Sequence, residues 1–436
     1  MSKLRWPFLP SRDLKISRTD GVYLYKDSGE AIIDAAGGAI VSNIGHGRQR
    51  VAEKMAEAAM ETSYVVPPWI TPSREQLLEE LGTHWLPNHL TRMHATSGGT
   101  EANEAAVKIA LHYQQAIGQT KRTEIISRSV SYHGTTLATA SLSGHPGRKK
   151  GLESALPEFL TTPTPYPLRC PLGPHHDKAG SYYVEAFADL IENTGPENIA
   201  ALIAEPITGS SGGCIVPPAD YWPGIYALCQ QHGILLIMDE VMTGFGRTGP
   251  KFGYQNWQIE PDILVGGKGL AGGYAPLGGV FAREEIGQAI QDAGFQVMFN
   301  TFGAHPVACA AAAQVLTIIR EENLLEQGQQ QGDYLHARLH EQFSQHPHVA
   351  EIRGQGLFAA IEVVKDRETL ERYPQEDNVS NRLVADGLTN GVFFYAGGTG
   401  EVRDIVCMGP AFIITNEQID QVVNTLASSL DRVTGS

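Results

Sequence analysis

Lys268 is the residue whose setting most directly suggests chemistry. It stands in Asp262-Ile-Leu-Val-Gly-Gly-Lys-Gly-Leu-Ala-Gly-Gly-Tyr-Ala-Pro-Leu-Gly-Gly279, where the apolar run Ile263 to Val265 reads as a buried strand that runs into glycines. A lysine at such a junction projects its amine from the end of a sheet, where α/β proteins place their ligands. Desolvated and neutral, that amine can form a Schiff base with an aldehyde. A surface lysine in a Gly-rich loop fits the same segment equally well, so the rest of the chain has to decide.

Four other segments offer what a Schiff-base cofactor with a phosphate and a pyridine ring requires. Ser97-Gly98-Gly99-Thr100-Glu-Ala102 precedes a helical pattern, so its N–H groups and the Thr100 hydroxyl suit an anion at a helix N-terminus, or an ordinary N-cap. Asp239 closes the apolar strand Ile237-Met-Asp, where a buried carboxylate needs a cationic partner such as a protonated ring nitrogen. Strand alternation turns the adjacent Glu240 the other way, which gives it a structural role. Tyr132 and His133, in Ser131-Tyr-His-Gly134, sit at a strand exit where an aromatic ring can stack on a planar one. Thr301-Phe-Gly-Ala-His-Pro306 supplies another hydroxyl, or simply a helix start.

The elements that must position these residues follow from hydrophobic patterning. Residues 123–130, 201–207, 234–239 and 262–265 read as strands, alternating with helical patterns at 102–117 and 221–232. That alternation predicts an α/β fold with a mostly parallel central sheet. Pro306 opens an Ala-rich helix to residue 322. Residues 21–34 read as two strands around a Lys-Asp-Ser-Gly turn, 356–364 as a strand, and Thr415-Asn-Glu-Gln418 as a capping box for a last helix. A large domain at 55–310 is therefore expected, with a small α+β domain formed from 1–54 and 311–436. Residues 143–182, rich in Pro, Gly and His, read as a long surface excursion.

Composition excludes other classes. A net charge of −15 disfavours nucleic acid and anionic membranes as partners. No apolar stretch reaches bilayer length, and Met1–Pro10 lacks the apolar core of a secretory signal. Five scattered cysteines read as reduced thiols of a cytoplasmic protein. The histidines of His346-Pro-His348 and His175-His176 lack a second ligand pair at zinc spacing, so no metal is expected.

Taken in order, Ser-Gly-Gly-Thr-Glu-Ala102, Tyr-His-Gly134, Ala204-Glu205-Pro206, Asp239-Glu-Val-Met-Thr-Gly-Phe-Gly-Arg-Thr-Gly249, the Lys268 segment and Thr301-Phe-Gly-Ala-His-Pro306 resemble the class III aminotransferases. The resemblance runs from about Gly21 to the last helix. It implies the aspartate-aminotransferase-like fold (pyridoxal-phosphate fold type I) and the cofactor pyridoxal 5′-phosphate, held on Lys268 as a Schiff base. It further implies Asp239 at the pyridinium nitrogen, Tyr132 and Val241 on the two ring faces, and Gly99 and Thr100 at the phosphate. Thr301 would reach the phosphate of a neighbouring subunit, making a homodimer (or a tetramer) with active sites at the interface. Ser97, Gly98, His133, Glu205 and Met242 complete the expected cofactor surroundings, with Glu205 also readable as purely structural or as an arginine's partner.

The resemblance also narrows the substrate. Members acting on ornithine, acetylornithine or 4-aminobutyrate usually carry glutamine after Asp-Glu-Val; Met242 instead matches the amine–pyruvate (ω-amino) transaminases. The expected reaction is ping-pong transfer of an amino group from a primary amine or ω-amino acid to a keto acid, pyruvate above all. Amino-alcohol phosphate elimination, racemisation and decarboxylation belong to the same family chemistry, and a non-catalytic scaffold is the contrasting class. Arg403 resembles the mobile carboxylate-binding arginine of the ω-transaminases, though a solvated loop arginine fits it as well. Ile40, Tyr64 and Trp69 are expected to line the substrate pocket, with Ile40 leaving room where several relatives carry a large aromatic.

Overall fold

The computed structural model describes residues 14–435; the reading of Met1–Pro10 and the first thirteen residues assigned to the small domain lie outside them. The central sheet has seven strands in the order Leu90–Thr96, Gly278–Arg283, Ile263–Gly266, Leu235–Asp239, Ile199–Ala204, Glu124–Arg128 and Leu160–Thr162. The five from Ile263–Gly266 to Leu160–Thr162 are parallel, and Gly278–Arg283 runs antiparallel to both its neighbours. The three middle strands are buried along their whole length, as strands covered on both faces must be.

Alternation sorts their side chains. Ile203, Ile237, Val265 and Val280 pack with Ala102, Ala106 and Ala110 of the helix Gly99–Ala116. Leu202, Leu236, Met238 and Leu264 join the opposite core with Phe187, Trp222 and Ile225. Asp239 continues the Ile237 face, so it emerges toward the start of the Gly99–Ala116 helix.

Two smaller sheets draw on the ends of the chain. Ile16–Asp20, Tyr23–Lys26, Ala31–Asp34 and Val392–Phe393 form one, with Val392 pairing Ile33 in parallel. Val349–Gln355, Phe358–Val363, Val402–Met408 and Tyr395–Thr399 form the other. Buried Arg247 ties these segments to the central sheet, donating to the carbonyls of Ser42, Leu357 and Pro410. Thr415 Oγ1 accepts from the Gln418 N–H while Gln418 Oε1 accepts from the Thr415 N–H, the reciprocal cap expected of the last helix, Asn416–Thr434.

The structure departs from the patterning in three strands. Residues 143–182 are no simple excursion: Leu160–Thr162 pairs with Glu124–Arg128 and extends the sheet, too short a strand to show a period. Leu90–Thr96 is masked by its polar residues, and Gly278–Arg283 by its glycines. Gly278 is required, because a Cβ there would lie 2.6 Å from the Gly98 carbonyl oxygen. Among the described residues no helix is long and apolar enough to cross a membrane, and all five cysteines are buried and free.

Candidate functional site

Five chain segments converge at the C-terminal edge of the parallel strands. Asp239 ends its strand, Lys268 follows Ile263–Gly266 by two residues, Glu205 follows Ile199–Ala204, and Tyr132 and His133 lie beyond Glu124–Arg128. The helix Gly99–Ala116 begins at the same edge. Between them is a cavity of about 180 Å³ lined by Gly99, Thr100, Asn103, Tyr132, His133, Glu205, Asp239, Val241, Met242 and Lys268, with Ser210. A second lobe of about 210 Å³ shares Tyr132, Ser210, Met242 and Lys268 and adds Ala39, His145, Arg148, Ser211 and Tyr395.

Lys268 adopts φ +39°, a left-handed conformation that an L residue holds only when its surroundings enforce it. The segments on either side of it pack closely. A Cβ at Gly267 would lie 3.3 Å from Val241 Cγ1 and 3.5 Å from Gly99 Cα, and one at Gly99 would lie 2.7 Å from Val241 Cγ1. Two glycines thus let the lysine turn, the helix start and Val241 meet. Burial lowers the Lys268 amine from 10.5 to about 8, against the opposing pull of Asp239 and Glu205.

Asp239 is buried and takes three contacts from its own chain, which leaves acceptor capacity on Oδ1. Its Oδ2 accepts from Asn103 Nδ2 at 2.8 Å and contacts His133 Nδ1 at 2.8 Å, while Oδ1 accepts from the Val241 N–H at 3.0 Å. Asn103 also donates to the His133 carbonyl at 2.8 Å, locking the two loops together. Sequence reasoning missed Asn103; the signal was a polar residue beside the buried alanine stripe of that helix. Glu240, one residue on, is wholly buried and accepts from Thr243 Oγ1 and from the N–H groups of Gly253 and Tyr254. Burial raises its carboxyl to about 7 despite those donors.

Glu205 lies in the cavity wall, and the arginine beside it is Arg128. Its Oε1 accepts from the Gly209 N–H at 3.0 Å, and Oε2 lies 3.5 Å from Arg128 Nη2. Burial raises its carboxyl, opposed by His133 and Arg128. Ser97 and Gly98 lead into the helix without lining the cavity; the Ser97 N–H is taken by Glu101 Oε2 at 2.8 Å.

The expected substrate residues are not gathered around Lys268 within this chain. Ile40, at φ +57° and 2% exposed, is packed with Tyr166, Leu168 and Cys407, and its neighbour Ala39 faces the outer lobe instead. Gly38, at φ +69°, breaks the short helical turn Gly37–Ile40, a reversal that residue size alone does not signal. Tyr64 is exposed beside Phe302 and His305. Trp69 lines a separate apolar groove of about 800 Å³ with Ile70, Met93 and Phe299. Thr301 is likewise exposed on that side, next to Phe302. Arg403 is held outside the cavity by Glu401 Oε2 at 3.3 Å and the Tyr373 carbonyl at 3.1 Å. Arg148, which the sequence reading did not single out, is the arginine at the outer lobe, its Cζ 4.6 Å from the Tyr132 ring centroid.

The family model of class-III aminotransferases matches residues 10–430. An uncharacterised aminotransferase of Schizosaccharomyces pombe is 36% identical over 425 residues, spanning 95% of this chain and 92% of its own. The taurine–pyruvate aminotransferase of Bilophila wadsworthia is 35% identical, spanning 93% of this chain and 89% of its own. The crystal structure of the ω-transaminase of Pseudomonas jessenii in complex with PMP has a TM-score of 0.92 at 32% identity, covering 99% of this chain and 96% of that one.

Proposed function

Because this chain belongs to the class III aminotransferases, pyridoxal-phosphate enzymes of fold type I, we propose that it moves an amino group from a primary amine or ω-amino acid to a keto acid, pyruvate above all. The observation that carries this choice is Met242, whose side chain lines both lobes of the cavity. A thioether there makes an apolar wall, where the glutamine of ornithine- and 4-aminobutyrate-using relatives would add an amide. Similarity to a protein named as a taurine–pyruvate aminotransferase supports the same acceptor.

The cavity fits pyridoxal phosphate. The N-terminus of an 18-residue helix, with the Thr100 hydroxyl beside it, suits a phosphate. A buried carboxylate, Asp239, suits the pyridinium nitrogen, and Tyr132 and Val241 suit the two ring faces. His133 Nε2 is buried without a partner among the described residues, as expected of a wall that meets a polar ligand. The residues assigned to hold the group are therefore Lys268, Asp239, Thr100, Gly99, Tyr132, Val241 and His133. Thr301 of a second subunit completes the set in a homodimer, a reading supported by its exposed surroundings at Met298, Phe299 and Phe302.

When bound, pyridoxal phosphate supplies an aldehyde that captures amines and a protonated ring that takes up an electron pair. The chain's own work is to move one proton and hold one charge. Burial lowers the Lys268 amine to about 8, so that about a tenth of it is neutral at pH 7 and more as pH rises. In that form its nitrogen would take the proton from the amine-bearing carbon of a bound substrate and give one up again on the same face. Asp239 would hold the positive end of such a ring, and Asn103, His133 and the Val241 N–H fix that carboxylate in advance. Met242, Val241 and Tyr132 exclude water from the transfer.

The test is a panel of primary amines and ω-amino acids added to the yellow holoenzyme, with and without pyruvate. Bleaching by the donor, and stoichiometric transfer that requires pyruvate, are expected. Ammonia released without an acceptor would replace transamination with elimination, and failure of every amine to bleach the absorbance would overturn the proposal for that panel.

A further inference from the structure

We propose that Arg148 and Ser211 form the anchor for the substrates' carboxylate, so that the cavity selects ω-amino acids and keto acids over uncharged amines of the same length. This deepens the transaminase reading and rests on it. Arg148 lines the outer lobe together with Lys268, so an anion held there has its amine or carbonyl end turned toward the reacting nitrogen. Its guanidinium stacks over Tyr132 at 4.6 Å, and no carboxylate pairs with it among the described residues. The acids of the inner lobe are already engaged: Glu205 by Arg128 and the Gly209 N–H, Asp239 by Asn103 and His133. No Asp or Glu lines the outer lobe, so Arg148 meets no carboxylate there.

Ser211 supplies the second, independent observation. It is 2% exposed, lines the same lobe, and its Oγ has no partner among the described residues. A buried hydroxyl without a partner is costly, and a carboxylate oxygen would satisfy it. A planar guanidinium fork and a hydroxyl together match a carboxylate's two oxygens. The uncommitted arginine is thus Arg148, whereas Arg403 already serves Glu401 and the Tyr373 carbonyl.

Two measurements on the holoenzyme test the anchor. Calorimetric binding of propionate, which has the carboxylate but no amine, should weaken about tenfold in Arg148→Gln and severalfold in Ser211→Ala. The half-reaction with β-alanine should slow about tenfold in Arg148→Gln, while that with propylamine stays within twofold. Unchanged propionate binding in Arg148→Gln, no binding by the wild type, or an equal loss for β-alanine and propylamine would overturn the proposal. If the wild type binds propionate and Arg148→Gln does not, yet neither amine bleaches the cofactor, the anchor stands and the transaminase reading falls.

Discussion

At the floor of the cavity Asp239 receives three contacts of 2.8–3.0 Å from its own chain, whereas at the mouth Arg148 rests on one aromatic ring. The floor contacts involve a buried charge and are worth roughly 1.5–3 kcal/mol each. An exposed cation–π contact is worth about 0.5–1 kcal/mol. Burial follows the same division: Asp239 and His133 are almost wholly enclosed, while Arg148 is exposed on the four-residue turn Pro146–Lys149. The floor is fixed before any ligand arrives. The mouth holds its charge loosely enough to hand it to a substrate. One fold thereby combines constant chemistry with an adjustable choice of substrate.

The largest expected effect breaks the floor at its reacting atom. Lys268→Ala should lower turnover by at least about 10⁴-fold, the upper end of what a positioned general acid–base contributes, with the fold unchanged by circular dichroism. Turnover within tenfold of wild type would move the proton transfer away from this lysine. Next comes the charge beneath the ring. Asp239→Asn keeps the shape but sets an amide against the donors of Asn103 and His133, and it removes the anion. A loss of about 10²- to 10³-fold in kcat is expected, the scale of truncating one partner of a buried charge pair. An effect on KM alone would make Asp239 a structural residue like its neighbour Glu240.

A third test reads the floor through stability rather than activity. In the cofactor-free protein, burial lowers the Lys268 amine to about 8 from 10.5. Between these values the unfolded chain binds the proton more tightly. The amine's contribution to stability is therefore fully present above about 10.5 and lost as pH falls through about 8. Lys268→Met removes the cost of charging a buried amine. It should stabilise the cofactor-free protein by about 2 kcal/mol at pH 7, allowing for the partial exposure of the side chain, and by almost nothing near pH 10.5. Urea unfolding at both pH values checks this; an advantage that does not shrink with pH would mean that the amine is solvated.

What could be read from the sequence follows the same boundary between floor and mouth. Asp239 drew notice because it closes an apolar run, whereas Lys268, two glycines beyond its run, fitted a surface loop equally well until the other motifs were set beside it. Gly99 and Thr100 precede a helical pattern that suits an anion or an ordinary N-cap, so only their order among the other motifs singled them out. Asn103 escaped because one polar residue in an alanine-rich helix does not reveal what it faces 136 positions away. Gly267 looked uninformative until its missing Cβ was set against Val241, a contact no local pattern encodes. Arg148, Ser211 and Tyr395 reach one lobe from a helical turn, a loop and a strand far apart in the chain, so only the closed fold brings them together. At Ile40 the left-handed backbone is what sequence does not show: the side chain is buried and Ala39 lines the lobe.

The smallest expected effect sharpens the mouth. Arg403 resembles the family's mobile arginine, though its spacing to Pro410 is shorter, and position and availability are different properties. Its guanidinium is shared between the Glu401 carboxylate and the Tyr373 carbonyl, and Asp404 lies 3.8 Å from its Nε. Bringing it to a substrate would give up these contacts, whereas Arg148 has no such partner to leave. Arg403→Gln should accordingly change kcat/KM for β-alanine and pyruvate by less than about twofold, the range of a surface ion pair. A loss as large as that of Arg148→Gln would mean that the hairpin Tyr395–Met408 swings inward during turnover. The mouth would then be set by a moving arginine, and Arg148 would only shape the field around it.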